Sequence, residues 1–356
     1  MIKKILILCG GRTGEHEVSL QSAKNIIEAV DKEKYKVVIV GIDKKGDWIL
    51  FNDRDFLDNA DDPKKIKLKE GGVLVNLNGN ELINLESGSV EAIIDVVFPA
   101  LHGTLGEDGT MQGLLKINDM PFVGPSVLGS AIAMDKDVAK RLFRDADIYI
   151  ADFLVFRDCE KNIIDFKQIE NKFGLPFFIK PANAGSSVGV SRVKNEGEFN
   201  EAVEEAFKFD NKILIEENVI GRELECAVLG NVGVKASVVG EVLPQKDFYS
   251  YEAKYIDESG AILEMPAKIS DEEAENIKDL AIKAFKVLEC EGMARVDFFL
   301  SEKGLILNEI NTIPGFTKNS MYPKLFGLSG VSYSDLISKL IELAEERFER
   351  ENKLNF

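Results

Sequence analysis

The sequence predicts an α/β protein made of three consecutive units. Short apolar runs that suit β-strands alternate with helical patterns from end to end. The length of 356 residues corresponds to two or three domains of about 100–200 residues each. We expect an N-terminal α/β unit with a parallel sheet at 1–125, a small central unit at 126–218, and a C-terminal α+β unit at 219–356.

Strands and helices alternate in the first unit. The runs KILILC, YKVVIVGI and EAIIDVVFPA are predicted strands, and their continuous apolar character is typical of a parallel sheet covered by helices. The segment SLQSAKNIIEAV has the spacing of a helix, for which Ser19 is the expected N-cap. Residues 51–70 are polar and charged, so we expect a surface excursion there.

The central unit opens with a long helical pattern, PSVLGSAIAMDKDVAKRLF, followed by strand-like DFLVF, FFIK, VGVSRV and KILIEE with two helical segments between them. The C-terminal unit contains strand-like LECAVLG, a helix near DEEAENIKDLAIKAFKVL, a strand pair and a terminal helix. Residues 243–260, which include the stretch PQKDFYSYEAKYIDESG, mix aromatic and polar residues, which suits either a lid over a site or a surface loop.

Composition limits the partners that the chain is expected to bind. The formal net charge of −17 argues against nucleic acid and anionic membrane surfaces, because phosphate backbones bind to cationic surfaces. It does not exclude a nucleotide, since a divalent cation can bridge acidic residues to phosphates. No apolar run approaches the ~20 residues of a membrane helix.

The cysteine and histidine content excludes several kinds of site. Four scattered cysteines without a C-x-x-C pair support neither a zinc ribbon nor a redox pair, and two histidines exclude a His-rich metal site. Cys9 and Cys226 lie in apolar runs and are predicted to be buried thiols. Free cysteines are typical of the cytoplasm, which is the expected location.

The strand pair GMARVDFFLSEKGLILNEINTIPG carries a cluster of charged residues. Because side chains alternate along a strand, Arg295 and Asp297 share one face, and Glu309 and Asn311 share another. A three-residue loop at 302–304 would pair Asp297 with Glu309 and Arg295 with Asn311, so that all four converge. A four-residue loop would place the two carboxylates on opposite faces.

This cluster has two interpretations. Two carboxylates and an amide oxygen suit Mg²⁺ bound together with substrate phosphates, and the neighbouring arginine suits the stabilisation of charge in phosphoryl transfer. The alternative is a solvent-facing sheet with a cross-strand salt bridge. Spacing alone leaves both open.

The loop KPANAGSSVGVS at 180–191 matches neither the P-loop nor G-x-G-x-x-G. Its backbone N–H groups, Lys180 and the hydroxyls of Ser186 and Ser187 suit an anion, but the loop by itself favours an ordinary turn between strands. In LIEENVIGREL, Glu216 and Glu217 end an apolar strand. They would either bind the adenine and ribose of a nucleotide or be solvated residues at a strand end.

Together these motifs resemble the ATP-grasp fold, and more closely the D-alanine–D-alanine ligase family, nearly from end to end. The likeness rests on GGRTGEHEVSL (10–20), HGTLGEDGTMQG (102–113), YSYEAKY (249–255), and GMARVDFF followed by LNEINTIPG. Thr13, where relatives often carry serine, is a small departure that keeps a hydroxyl. The resemblance implies a three-domain ATP-grasp architecture with 243–260 as a covering loop.

The resemblance also implies a reaction. ATP phosphorylates the carboxylate of one D-alanine, the amine of a second attacks the acyl phosphate, and a tetrahedral intermediate collapses to D-alanyl-D-alanine for peptidoglycan synthesis. A cytoplasmic homodimer is implied as well.

Substrate roles follow from the matching positions. Glu17 would take the ammonium of the first D-alanine, near His102. Ser186 would join Glu17 and Tyr255 in a hydrogen-bonded set that closes the covering loop. Ser320 would take the carboxylate of the second D-alanine.

The remaining implied roles concern charge and the nucleotide. Arg295 and the Gly315 N–H would hold the oxyanion. Asp297, Glu309 and Asn311 would bind two Mg²⁺, with Mn²⁺ as a substitute and a monovalent cation as a further activator. The implied nucleotide-binding residues are Lys136, Lys180, Ser186, Ser187, Glu216, Glu217, Val219, Glu223, Lys254 and Asn308.

Two rival functions stay open at this point. One is a ligase that uses D-serine or D-lactate second. In the family, tyrosine after the loop lysine accompanies D-alanyl-D-alanine synthesis, and this chain has Lys254 followed by Tyr255. The other is a non-catalytic ATP-grasp regulator, which we would expect to lack the charged cluster on the strand pair.

Overall fold

The computed structural model describes residues 2–52, 54–244 and 261–354, and three main sheets follow one another along that part of the chain. Most of the predicted covering loop, including Lys254 and Tyr255, lies outside the described residues.

The first sheet has seven strands in the order β8-β7-β6-β3-β2-β1-β9. Only β1, β2 and β9 run parallel, so the predicted parallel sheet is present but is extended by antiparallel strands. The elements are β1 (Lys3–Gly10), α1 (His16–Ala29), β2 (Tyr35–Ile42), β3 (Trp48–Phe51), β4 (Leu57–Asp58), β5 (Lys67–Leu68), β6 (Val73–Asn78), β7 (Glu81–Asn84), β8 (Val90–Ile93), β9 (Val96–Pro99), α2 (Thr110–Ile117), α3 (Val127–Met134) and α4 (Lys136–Asp145).

One local prediction for this unit is wrong, and the predicted surface excursion is confirmed for most of its residues. Helix α1 begins at His16, so Ser19 lies inside it rather than at its N-cap. The buried Ser19 hydroxyl accepts a hydrogen bond from the Gly10 N–H at 2.7 Å and donates one to the Ala100 carbonyl at 2.5 Å, which ties the helix to two strands. The excursion at 51–70 buries apolar side chains such as Phe56, so it covers the core as well as facing solvent.

The central sheet is antiparallel, with the order β10-β13-β11-β12. Phe166, Phe177 and Phe199 pack together beneath it, which explains why its two helices lie on one face. The elements are β10 (Phe153–Arg157), a 3₁₀ helix (Asp158–Ile163), α5 (Phe166–Phe173), β11 (Phe177–Pro181), β12 (Ser191–Val193), α6 (Glu196–Phe207) and β13 (Lys212–Glu217).

The third sheet is antiparallel, with the order β16-β15-β14-β17-β18. Its helix α7 (Asp271–Val287) starts with a capping box between Ser270 and Glu273, which satisfies N–H groups of the first turn. The elements are β14 (Arg222–Gly230), β15 (Lys235–Pro244), β16 (Ala261–Glu264), α7 (Asp271–Val287), β17 (Gly292–Ser301), β18 (Gly304–Asn311), α8 (Met321–Leu328) and α9 (Tyr333–Glu351).

The C-terminal helix α9 packs back onto the first sheet. Leu340 and Ile341 share one buried cluster with Ile5 and Phe98 of β1 and β9. The first and third units are therefore joined by a common core, while the central sheet has an apolar core of its own. The predicted burial of Cys9 and Cys226 is confirmed. Within the described ranges, no helix is long and apolar enough to cross a membrane.

Candidate active site

Strands β17 and β18 have the predicted residue pairing, but the turn between them is shorter than predicted and a bulge compensates for it. Asp297 pairs with Glu309 and Arg295 with Asn311, as expected. The predicted three-residue loop is wrong, because Ser301 pairs with Gly304 and leaves only two residues in the turn. A β-bulge between Asp297 and Phe298 restores the register, since it leaves Asn308 as the extra residue of β18.

The charged side chains of this pair contact one another. The Arg295 guanidinium donates to both oxygens of Asp297, each at 2.7 Å, and the Asn311 amide donates to Asp297 at 2.9 Å. Glu309 lies 3.8 Å from the Lys136 ammonium. The face is therefore a network of alternating charges rather than a solvated strand surface.

Sequence reasoning missed Glu225, which lies on the same face. It pairs directly across from Asp297 on β14, and its Oε2 is 3.0 Å from Nε of Arg295. The sequence does contain a pattern that points to this residue, because Glu223 and Glu225 alternate with apolar residues along a strand and so share one face. The apolar character of LECAVLG obscured it.

The oxygen donors of Asp297, Glu309 and Asn311 fit a magnesium ion. Two carboxylates and one amide oxygen are hard ligands, and phosphate oxygens or water complete such a shell. Among the described residues no group of three or more His, Cys, Asp and Glu side chains is arranged to hold a metal. The fit therefore depends on the asparagine and on a bound phosphate.

A cleft of about 360 Å³ separates the central sheet from β18. Its described lining contains nine of the residues expected to bind nucleotide: Lys136, Lys180, Ser186, Ser187, Glu216, Glu217, Val219, Glu223 and Asn308. Arg192 also lines the cleft and was missed, although VGVSRV places it on a strand whose alternation reaches this face. The cleft combines cations for phosphates with carboxylates and apolar side chains.

The partly buried Lys180 and the buried Glu216 line this cleft, and Glu216 also pairs with the buried Lys140. The Lys140 ammonium is 2.6 Å from one oxygen of Glu216, and Lys180 pairs with the other oxygen. Burial by itself raises the pKa of Glu216, but the two lysines outweigh it and hold that pKa below its ordinary value. Burial lowers the pKa of Lys140. The Glu216 carboxylate thus positions Lys180 at the cleft.

The loop between β11 and β12 has a strained backbone and an unexpected partner. Ser186 and Ser187 have φ angles of 50° and 61°, in the left-handed region that is uncommon for residues other than glycine. The Ser186 hydroxyl donates a hydrogen bond to Glu15. The loop is therefore tied to the N-terminal unit.

The structure corrects the expected role of Glu17. The carboxylate that meets Ser186 belongs to Glu15, which is buried, whereas Glu17 pairs with Lys44 at 2.7 Å. Burial by itself raises the pKa of Glu17, but Lys44 and a backbone hydrogen bond lower it further than burial raises it. The physical reason is the start of α1, since side chains two residues apart at a helix do not share a side.

A second cavity of about 90 Å³ adjoins the cleft. Its described lining includes Glu15, His102, Arg295, Gly315 and Ser320. A β-carbon at Gly315 would lie only 2.7 Å from the Ser320 hydroxyl, so a side chain there would displace that hydroxyl. Gly185, Ser186 and Glu309 line both cavities.

His102 is buried at the wall of the second cavity. One ring nitrogen, Nδ1, is 3.0 Å from the Ile313 carbonyl and the other, Nε2, is 2.9 Å from the Ser22 hydroxyl. Burial by itself would lower the pKa of His102, but the carboxylates of Glu107 and Glu15 outweigh it and raise that pKa. The structure therefore places a histidine of raised basicity beside two acids.

Comparisons with known proteins show the family to which the chain belongs. Family models described as D-ala D-ala ligase N-terminus and C-terminus match residues 4–125 and 142–342. A D-alanine–D-alanine ligase of Oceanobacillus iheyensis is 54% identical, over 99% of this chain and 98% of its own.

Two solved structures have similar folds. The D-alanine-D-alanine ligase of Coxiella burnetii has a TM-score of 0.86 at 36% identity, covering 99% of this chain and 96% of its own. The VanG D-Ala:D-Ser ligase of Enterococcus faecalis has a TM-score of 0.84 at 35% identity, covering 97% and 100%. The predicted α/β fold with three-domain ATP-grasp architecture is confirmed, and the chain belongs to the D-alanine–D-alanine ligase family.

Proposed function

We propose that this protein joins two D-alanine molecules to make D-alanyl-D-alanine for peptidoglycan precursors, and that it converts ATP to ADP and phosphate in the same reaction. The observation that carries the proposal is the meeting of the two cavities at Ser186 and Glu309. A phosphoryl group at the end of the cleft then lies beside an amino acid in the second cavity. This geometry suits a carboxylate–amine ligase with an acyl phosphate intermediate.

Residues of the cleft position the nucleotide. Lys136 and Lys180 attract the phosphates, and the loop backbone at 185–187 approaches them closely because it carries small side chains. Val219 and Glu223, with the strand end at Glu216 and Glu217, line the adenosine end. Asn308, the extra residue of the bulge, contributes to the same wall.

Asp297, Glu309 and Asn311 would hold Mg²⁺, which supplies positive charge to the phosphates when bound. We propose two such ions, with Mn²⁺ as a substitute and a monovalent cation as a further activator. The Arg295 guanidinium adds a fixed positive charge where the oxyanion develops. The N–H of Gly315 is the second donor in this role.

The second cavity holds the amino acids. The Glu15 carboxylate takes the ammonium of the first D-alanine, in place of the expected Glu17, because Glu15 lines this cavity and contacts Ser186. His102 lies beside the same subsite. Ser320 precedes α8, and the N-terminus of a helix attracts the carboxylate of the second D-alanine.

Four further features complete the proposal. The units 1–125, 126–218 and 219–356 act as domains, and each contains one of the three main sheets. Lys254 and Tyr255, which lie outside the described residues, have the proposed role of protecting the acyl phosphate from water. The protein works in the cytoplasm as a homodimer.

The test measures phosphate release from ATP and Mg²⁺ with and without D-alanine, together with the mass of the product. We expect release that depends on D-alanine and a product with the mass of the dipeptide. Competition with D-serine and D-lactate then identifies the second substrate. Release without D-alanine dependence, or a mixed product in that competition, would contradict the proposal.

A further inference from the structure

One buried carboxylate near the reaction centre has no role in the mechanism above. Glu225 is 8% exposed and lies on β14, the middle strand of the third sheet. It lines the second cavity together with Arg295. Burying a carboxylate is costly unless a positive charge compensates it, and the Arg295 guanidinium lies beside it at 3.0 Å.

Arg295 thus lies between two carboxylates that are not equivalent. Asp297 receives hydrogen bonds from both Nε and an η nitrogen of Arg295, each at 2.7 Å. Glu225 approaches the same Nε from the neighbouring strand, where its residue pairs with Asp297. Since Nε carries a single hydrogen, that hydrogen is directed at only one of the two carboxylates at a time.

Metal binding changes which partner is available. A divalent cation on Asp297 withdraws its oxygens from the guanidinium and repels the positive charge of Arg295. This step rests on the proposed function, which assigns Asp297 to Mg²⁺. Without a second carboxylate, Arg295 would either leave the site or stay on Asp297 and compete with the metal.

We propose that Glu225 is a positioning residue that takes over the Arg295 guanidinium when a divalent cation binds Asp297. It holds the arginine over the second cavity, where the oxyanion develops, and frees Asp297 for the metal. The rigid middle strand suits this role, because a side chain on β14 keeps its place while the partners of Asp297 change.

The experiment measures Mn²⁺ binding in the presence of ADP, from the electron paramagnetic resonance signal of free Mn²⁺, so no turnover is needed. We expect Glu225→Gln to weaken Mn²⁺ binding about tenfold, since Arg295 then stays on Asp297. Glu225→Asp keeps the charge but withdraws the carboxylate, so we expect a similar loss. Wild-type affinity in Glu225→Asp would overturn the proposal, because charge alone would then suffice.

A double variant separates positioning from direct ligation. With Arg295→Met as the background, Glu225→Gln should change Mn²⁺ affinity by no more than about twofold, because the arginine that it positions is gone. An equal, roughly tenfold loss in both backgrounds would show that Glu225 acts on the metal directly, and the proposal would be wrong.

Glu241→Gln is the matched control. Glu241 is also buried in the same sheet, but it pairs with Arg222 on the opposite face and is not among the described residues that line either cavity. This variant should bind Mn²⁺ and ADP like the wild type. If the wild type itself does not bind Mn²⁺ in the presence of ADP, the result counts against the proposed function. If the wild type binds Mn²⁺ and the Glu225 variants bind it with the same affinity, the result counts against this inference alone.

Discussion

The buried pair between Lys140 and Glu216 permits a prediction with a worked magnitude. The Lys140 side chain is 1% exposed, and its ammonium is 2.6 Å from Glu216. Removing one partner of a buried pair costs about 3–5 kcal/mol. Lys180 stays beside Glu216 after Lys140→Met, so we expect the lower end, about 3 kcal/mol.

Thermal unfolding measures this loss. For a cooperative unit of about 150–250 residues, 1 kcal/mol lowers Tm by about 2–4 °C, so Lys140→Met should unfold about 6–12 °C below the wild type. Methionine nearly matches the length of lysine, so lost packing contributes little.

Lys208→Met is the matched control, because Lys208 also lies 2.6 Å from a glutamate but is exposed to solvent. Its pair is screened by water, and we expect an unchanged Tm. Equal Tm values for the two variants would refute the reasoning, because they would show that burial does not decide the strength of these pairs.

Three other outcomes are expected. Glu15→Gln should lower kcat/KM for D-alanine about 10- to 100-fold, which corresponds to the loss of one hydrogen bond to a charged group. Glu17→Gln should have the kcat/KM of the wild type. The reverse result would show that Glu17 has the role that the motif alone assigns to it. Arg295→Ala should abolish phosphate release while ATP still binds by calorimetry, and retained turnover would contradict its role. At pH 8 a disulfide reagent should modify Cys159 but not the other three thiols of the native chain. Those three are buried, and burial raises the pKa of Cys9 to about 12. Rapid modification of a second thiol would contradict this prediction.

Motifs in the amino-acid sequence locate most of the candidate site. The residues expected around the nucleotide are spread over more than 170 positions of the chain, from Lys136 to Asn308, and those within the described residues line one cleft. The motifs around Lys180 and Glu217 succeed because they lie near the ends of β11 and β13, which pair in one sheet, and the loop with Ser186 follows β11 directly.

The wrong predictions concern residues whose type does not determine the direction in which their side chains point. Glu15 and Glu17 are the same residue type in one short motif, and only the start of α1 at His16 decides which of them meets Ser186. Ser19 has the composition of an N-cap, but its hydroxyl is used between two strands instead. Glu225 was missed because an apolar strand concealed one carboxylate.

The strand pair β17–β18 separates the two kinds of information. Period-two alternation, which is local, determined that Arg295 and Asp297 share a face and that Glu309 and Asn311 share another. Whether those two faces coincide depends on pairing between strands, and a two-residue turn without a bulge would have set Asp297 opposite Asn308. The bulge at Asn308 makes the two faces coincide, because the inserted residue shifts the register of β18. Glu309 and Asn311 therefore join Arg295 and Asp297 in one site.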